Sequence, residues 1–341
     1  MIEIRPFTDE WSEAVRHFNQ RLDTSDLLFP EEPSPERFVA VERDAVRGGY
    51  ILRRQRFWVR GEERDVAHYR LPLSEGIVNR AYTAVGVHLL RDALRRQPLL
   101  YALGMGGADR PLPQMLKAAG WSLWPVPFYF KIVRPFRFLR QIRPLRRTRW
   151  RRLALDLAAF TGAGWMGARI LQPPVRGAGH AEVMRSFTDW ADDLWHACRA
   201  RYGMVSQRDA SALNAWYPPS SERFLRLRAG ESGWALVLDT AMRGDAYFGD
   251  LRLGSIADCL AAPDDARAVA AAATAFLESR GVDLIVSNQL HSGWGNALRA
   301  AGFRQGPTNF ILAASKKLAE LIGAAGGVHI NRGDGDGPIH L

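Results

Sequence analysis

The chain has 341 residues, 47% hydrophobic and 24% charged, a globular composition long enough for two domains of ordinary size. Its formal net charge is +10, yet one Lys, nine Arg and no acid fall between Lys131 and Arg152, and the other 36 basic and 36 acidic residues cancel. This excludes a chain that is basic throughout and assigns the demand for an anionic partner to a single segment.

The start, MIEIRPFTDE, carries acids and lacks the apolar core of a secretory signal. Next come two strands joined by a Gly-bearing turn, GGYILRRQRFWV and DVAHYRLPL around RGEER. A helix is expected from Tyr82 to Arg96, then an apolar strand, LLYALGM. A short helix ends in Leu116-Lys117-Ala118-Ala119-Gly120-Trp121, and a strand-like PFYFKIV follows.

From Arg134 the arginines recur every third residue, with Phe136, Leu139, Ile142 and Leu145 between them. On an α-helix a three-residue step drifts by about 60°, so no single charged stripe forms. Pro135 and Pro144 break any long helix, and the segment reads as a bent arm. The apolar run that follows, Leu153 to Leu171, has an uncharged core only from Leu157 to Ala168. A spanning helix needs about 20 apolar residues, so an interfacial or buried helix fits better.

The second half repeats the plan of the first. FLRLR, GWALVLD and AYFGDLRLG read as strands, Asp265 to Arg280 as a helix, and VDLIVSN as a buried strand. Leu298-Arg299-Ala300-Ala301-Gly302-Phe303 matches Leu116–Trp121 at an offset of 182; Pro307 then matches Pro125 and Phe310 matches Phe128. One offset at several places points to internal duplication. Cys198 and Cys259 lack metal-ligand spacing and read as free thiols of a reducing, cytoplasmic compartment. The closing GDGDGP lacks the full calcium-loop pattern, so no metal site is predicted. A flexible Gly-rich terminus is expected there, the alternative being that His329 and Asp334 fold back over a site.

Hairpin, helix, strand, and a short helix ending in Ala-Gly-aromatic, occurring twice, resemble the GNAT (N-acetyltransferase-like) acyltransferase superfamily in tandem form. Exopolysaccharide-pathway and Fem-type proteins are similar examples. The resemblance implies an α/β fold of two GNAT-like domains, each a mixed, mostly antiparallel sheet flanked by helices. Residues 1–133 and 179–316 would be the domains, 134–178 an Arg-rich and apolar interfacial linker, and 317–341 a Gly-rich tail. It also implies acetyl-CoA or another acyl-CoA as co-substrate. The matching pyrophosphate loop is Arg80, Thr83, Ala84, Val85, Gly86 and Val87 in the first half, where a helix N-terminus favours an anion. Thr83 and Val85 stand where the family has glycines, and Thr83 as an ordinary helix cap is the plainer reading. In the second half the corresponding loop would be Leu253 to Leu260, degenerate for CoA because acids follow it. The family's thiolate-protonating Tyr is replaced by Leu116 and by Leu298. Candidate catalytic groups are Glu75, at the end of the strand before the loop, His68 in mid-strand, Asp250 at a comparable position in the second half, and His291 on a loop after a buried strand.

The expected activity is transfer of an acyl group to an amine, such as an amino sugar of a cell-envelope or exopolysaccharide precursor, a lipid-linked saccharide included. It would take place at the cytoplasmic membrane face. Anionic lipid would be met by Arg134, Arg137, Arg140, Arg143, Arg146, Arg147, Arg149, Arg151 and Arg152, a better fit than nucleic acid. A non-catalytic tandem scaffold of a polysaccharide-synthesis complex and a Fem-type aminoacyl-tRNA-dependent transferase remain as alternatives.

Overall fold

The computed structural model describes residues 2–22, 27–29, 36–143, 148, 150, 155 and 180–335. The chain forms two compact units: Met1–Phe57 with Glu62–Trp124 and Ile311–Gly323, and Trp58–Gly61 with Pro125–Phe310 and Ala324–Leu341.

In chain order the first unit begins with β1 (Glu3–Pro6), α1 (Ser12–Leu22), β2 (Arg37–Glu42), β3 (Ala45–Val59) and β4 (Glu62–Ser74). β3 and β4 are joined by Arg60 and Gly61, both at positive φ (46° and 93°), the geometry of a tight hairpin turn. α2 (Thr83–Arg96), β5 (Leu100–Gly104), α3 (Pro111–Ala118) and β6 (Ser122–Pro125) follow. Pro111 opens α3, where its missing N–H costs nothing.

The second unit contains β7 (Phe128–Ile132), α4 (Pro135–Gln141), β8 (Glu182–Met184), α5 (Asp189–Cys198), β9 (Met204–Ser206) and α6 (Ala210–Trp216). It continues with β10 (Leu225–Arg228), β11 (Gly233–Ala241), β12 (Arg252–Ala261), α7 (Ala266–Ser279), β13 (Leu284–Asn288), α8 (Ser292–Ala300) and β14 (Arg304–Gly306). The chain then supplies β15 (Ile311–Ala314) and α9 (Lys316–Ile322) to the first unit and returns with β16 (Val328–His329) to the second.

The strand order is β1-β2-β3-β4-β5-β15-β6 in the first unit and β14-β7-β13-β12-β11-β10-β8 in the second. Each is a mixed sheet: β4 and β5 are parallel, as are β12 and β13, within otherwise antiparallel neighbours. The two strands that follow the duplicated signature are exchanged. β7, from the first half of the chain, pairs with β13 and β14, and β15, from the second half, pairs with β5.

The duplicated signature has one physical cause in both places. Gly120 (φ 81°) and Gly302 (φ 88°) take the left-handed conformation just past a helix. Gly120 N donates to Lys117 O and Trp121 N to Leu116 O; Gly302 N donates to Arg299 O and Phe303 N to Leu298 O, all at 3.0 Å. These two bonds satisfy the last helical carbonyls, and the motif favours an apolar pair across the turn. Leu116 and Trp121 are buried in one core, Leu298 and Phe303 in the other. Leu116 and Leu298 therefore serve packing.

Of the arginine series, Arg134, Arg137, Arg140 and Arg143 are described; Arg146, Arg147, Arg149, Arg151 and Arg152 lie outside the described residues, as does the 153–171 run apart from residue 155. α4 lies between the two prolines. Its Phe138, with Ile142 just after it, is buried in the core with Leu238, Leu251 and Leu284. Arg134 and Arg137 both face the buried carboxylate of Asp283, at 3.8 and 3.6 Å. No described helix is long and apolar enough to cross a membrane.

Candidate functional site

In the first unit, β4 and β5 stay paired only at Ala67–Leu100 and His68–Tyr101, although β4 runs on to Ser74. Beyond that point β5 pairs on its other side, with β15. β4 is kinked at Leu71, a non-glycine residue at φ 45°. Two parallel strands thus part in a wedge, at the carboxyl ends where α/β sheets bind ligands. His68 stands at the apex, 1% exposed, its ring stacked on Tyr101 at 4.8 Å.

The loop from β4 to α2 is two tight turns, Glu75–Ile77 and Arg80–Tyr82. Glu75 is neither a solvated turn residue nor a carboxylate with a bare edge. It is buried, with Oε1 and Oε2 accepting from Arg47 at 3.1 and 2.9 Å and Oε2 also from Arg21 at 3.3 Å. It fixes the strand-to-loop junction. Thr83 is the first residue of α2, not its cap, and its hydroxyl donates back to Arg80 O. The residue at the cap position, Tyr82, makes no side-chain cap bond, and no acid lies in the first turn of α2. Thr83 N donates to Arg80 O of the preceding turn, and Arg80, Thr83 and Ala84 are exposed beside this helix start. Gly86 sits where a Cβ would lie 3.4 Å from Met115 Sδ. Arg80, Thr83 and Ala84 are exposed at this helix start, and Ile77, Val78 and Val87 form an exposed apolar rim, whereas Val85 is buried in the core.

The second unit has the same wedge, but it is filled. β12 and β13 pair from Leu253–Leu284 to Ile256–Ser287, and β12 continues to Ala261. The returning C-terminal segment enters beyond that point. Leu290 N donates to Ile330 O, Gln289 bridges Asn331, and His329 Nε2 donates to Cys259 O at 2.8 Å. His329 is stacked against Tyr202 (4.8 Å) and Trp294 (5.7 Å). The flexible terminus expected at Gly333–Asp334 is instead buried; the residues after Gly335 lie outside the described residues.

Fully buried charges anchor this segment. Arg208 donates from Nε to Asp258 Oδ1 (3.0 Å) and from Nη2 to both oxygens of Asp334 (3.0 and 2.9 Å). Tyr217 Oη and Asn331 Nδ2 donate to Asp258 at 2.8 Å, and Ser206 Oγ donates to Asp334. Burial raises the Asp258 carboxyl above its ordinary range against the opposing pull of Arg208, with Asp334 adding to the rise. With no exposure, this cluster reaches no substrate; it holds the segment in place.

The two second-unit candidates are not brought together. Asp250 lies on an exposed connection before β12, where it accepts from Gly244 N. His291 caps α8, its Nδ1 accepting from Gly293 N at 3.2 Å, and burial lowers its pKa. The segment Leu253–Leu260, expected to be a loop, is the body of β12; the connection to α7 is Ala262–Asp265. Sequence reasoning missed Arg208, Asp258 and Tyr217, although Asp258 inside the apolar run LGSIADCLAA was the available signal. Among the described residues no His, Cys, Asp and Glu group has the arrangement of a metal site.

No protein-family model matches the sequence, and no curated protein matches it. Solved structures do. A conserved protein of unknown function from Enterococcus faecalis V583, titled a probable N-acyltransferase, is 10% identical over 94% of this chain and 74% of its own, with a TM-score of 0.54. N-myristoyltransferase of Saccharomyces cerevisiae with bound myristoyl-CoA is 11% identical over 92% of this chain and 77% of its own, at 0.50. The shared fold is the tandem GNAT-like architecture described above.

Proposed function

We propose that the protein is an acyl-CoA-dependent N-acyltransferase with one co-substrate site, in the first unit. The observation that carries this reading is the parting of β4 from β5 beside the start of α2, which has no acid in its first turn and no side-chain cap. The helix dipole there suits a pyrophosphate. Arg80 adds a cation, and an extended pantetheine arm would lie where β4 parts from β5. The fold shared with the myristoyl-CoA-bound transferase supports an acyl-CoA co-substrate. The acceptor is an amine, for which an amino sugar of a cell-envelope precursor is our reading. The Arg140–Arg152 stretch would hold the enzyme at an anionic bilayer surface. Leu116 supplies no proton to a leaving thiolate, so Glu75, His68 and Tyr82 are the first-unit groups whose replacement tests the chemistry.

A second reading, a non-catalytic tandem scaffold, draws on that same leucine. Thermal melting separates the two. A ligand at 100 times its dissociation constant stabilises by about 2.7 kcal/mol. Acetyl-CoA or a longer acyl-CoA should raise the melting temperature; no response to any acyl-CoA or to free CoA sinks the enzymatic reading.

A further inference from the structure

Arg332 lies on the turn Arg332–Asp334 of the second unit. The turn is fixed by Asn331, whose side chain accepts from Gly333 N while its backbone N–H donates to Asp334 Oδ2, both at 2.9 Å. The arginine is laid against the carboxyl end of β13. Its Nε donates to Asn288 Oδ1 at 2.9 Å, and its guanidinium carbon is 5.8 Å from the centre of the Phe310 ring. Among the described residues this is its one side-chain hydrogen bond, and no carboxylate pairs with it.

Other arginines of the unit have their guanidinium groups engaged. Arg208 meets two aspartates, Arg252 and Arg280 share Asp239, and Arg226 donates to the carbonyls of Tyr217, Pro218 and Phe224. Burial alone lowers Arg332, to about 10, with no opposing charge to restore it. The side chain is part-buried, and its unpartnered Nη1 and Nη2 reach solvent. This uncommitted Nη1 and Nη2 face is the edge that forks onto two oxygens of a carboxylate or phosphate. The position, beyond the end of one of two parallel strands, is where such sheets receive ligands.

We infer that Arg332 is an oxyanion-recognition residue, so that the second unit takes a ligand carrying a carboxylate or phosphate, gripped through the guanidinium fork beside Phe310 and aligned by Asn288. This concerns the second unit and stands independently of acyl-CoA binding in the first.

The test uses the full chain without acyl-CoA. Melting curves are compared in sodium chloride, acetate and phosphate at equal ionic strength, for wild type, Arg332→Gln and Arg332→Lys. Wild type should gain stability from acetate or phosphate beyond chloride, and the better anion identifies the class. Arg332→Gln should lose that specific gain. Arg332→Lys, which keeps the charge and loses the fork, should retain only part of it and provides the reading if the glutamine variant does not fold. An equal gain in wild type and both variants, which would be a general salt effect, overturns the inference, as does no gain in wild type.

Discussion

The guanidinium of Arg208 meets both carboxylate oxygens of Asp334, 126 residues away in sequence, with neither side chain exposed. This pair ties the C-terminal segment into the second unit. Removing one partner strands the other as an uncompensated buried charge, which costs about 3–5 kcal/mol. Asp334→Ala should therefore lower the urea midpoint strongly, with tryptophan fluorescence as the readout. A loss near the ±0.5 kcal/mol of ordinary surface changes would mean that the segment is not anchored in this way.

Acid should loosen the same segment. Burial, with Arg208 adding to it, holds His329 well below 6.5, and burial lowers His291 in the same direction. The folded state thus binds fewer protons than the unfolded one below pH 6.5. The contribution is complete above 6.5 and is lost as pH falls below it, by up to about 1.4 kcal/mol per pH unit per group. Asp258, raised by burial, acts with the opposite sign and over the carboxylate range. Unfolding free energies at pH 7.5, 6.5 and 5.5 should decline for wild type and decline less for His329→Gln. Identical slopes would remove His329 from the account.

Gly120 and Gly302 offer a test of the duplication at the level of backbone geometry. A Cβ on Gly120 would meet nothing within 4 Å, so Gly120→Ala isolates the strain of a left-handed alanine. The expected loss is about 1 kcal/mol. Gly302→Ala should cost a similar amount if the two turns are the same device. Chemical denaturation of both single variants measures it.

Much of this was legible because local chemistry decided it. The Leu-x-Ala-Ala-Gly-aromatic signature encodes a helix end wherever it occurs, and α2 and α7 follow from their apolar periodicity to within a residue or two. The exchange of β7 and β15 was not legible. FYFKI and ILAA are apolar strands with nothing in either to say which sheet they join. The filled wedge was hidden for a related reason. His329, Asn331 and Asp334 look like loop residues until Arg208 and Asp258, distant in sequence, supply their partners. Glu75 was found at its place but not with its arginines, which come from α1 and β3.

The membrane proposal rests on charge. Co-sedimentation with vesicles should show binding that requires anionic lipid and weakens as salt rises. Replacing Arg146, Arg147, Arg149, Arg151 and Arg152 together by Ser should reduce it by more than tenfold, with about 1 kcal/mol attributed to each cation. Equal, negligible sedimentation with neutral and anionic vesicles would refute the proposal.

The central claim is one acyl-CoA site, formed by the first unit's wedge and the start of α2, with the second wedge closed by the chain itself. Isothermal titration of the full chain with acetyl-CoA or a longer acyl-CoA tests it most directly. The account predicts one site per chain, unchanged within a few-fold by Gly86→Ala and weakened at least about tenfold, or 1.4 kcal/mol, by Gly86→Glu. Two equivalent sites, or wild-type affinity in Gly86→Glu, would contradict it.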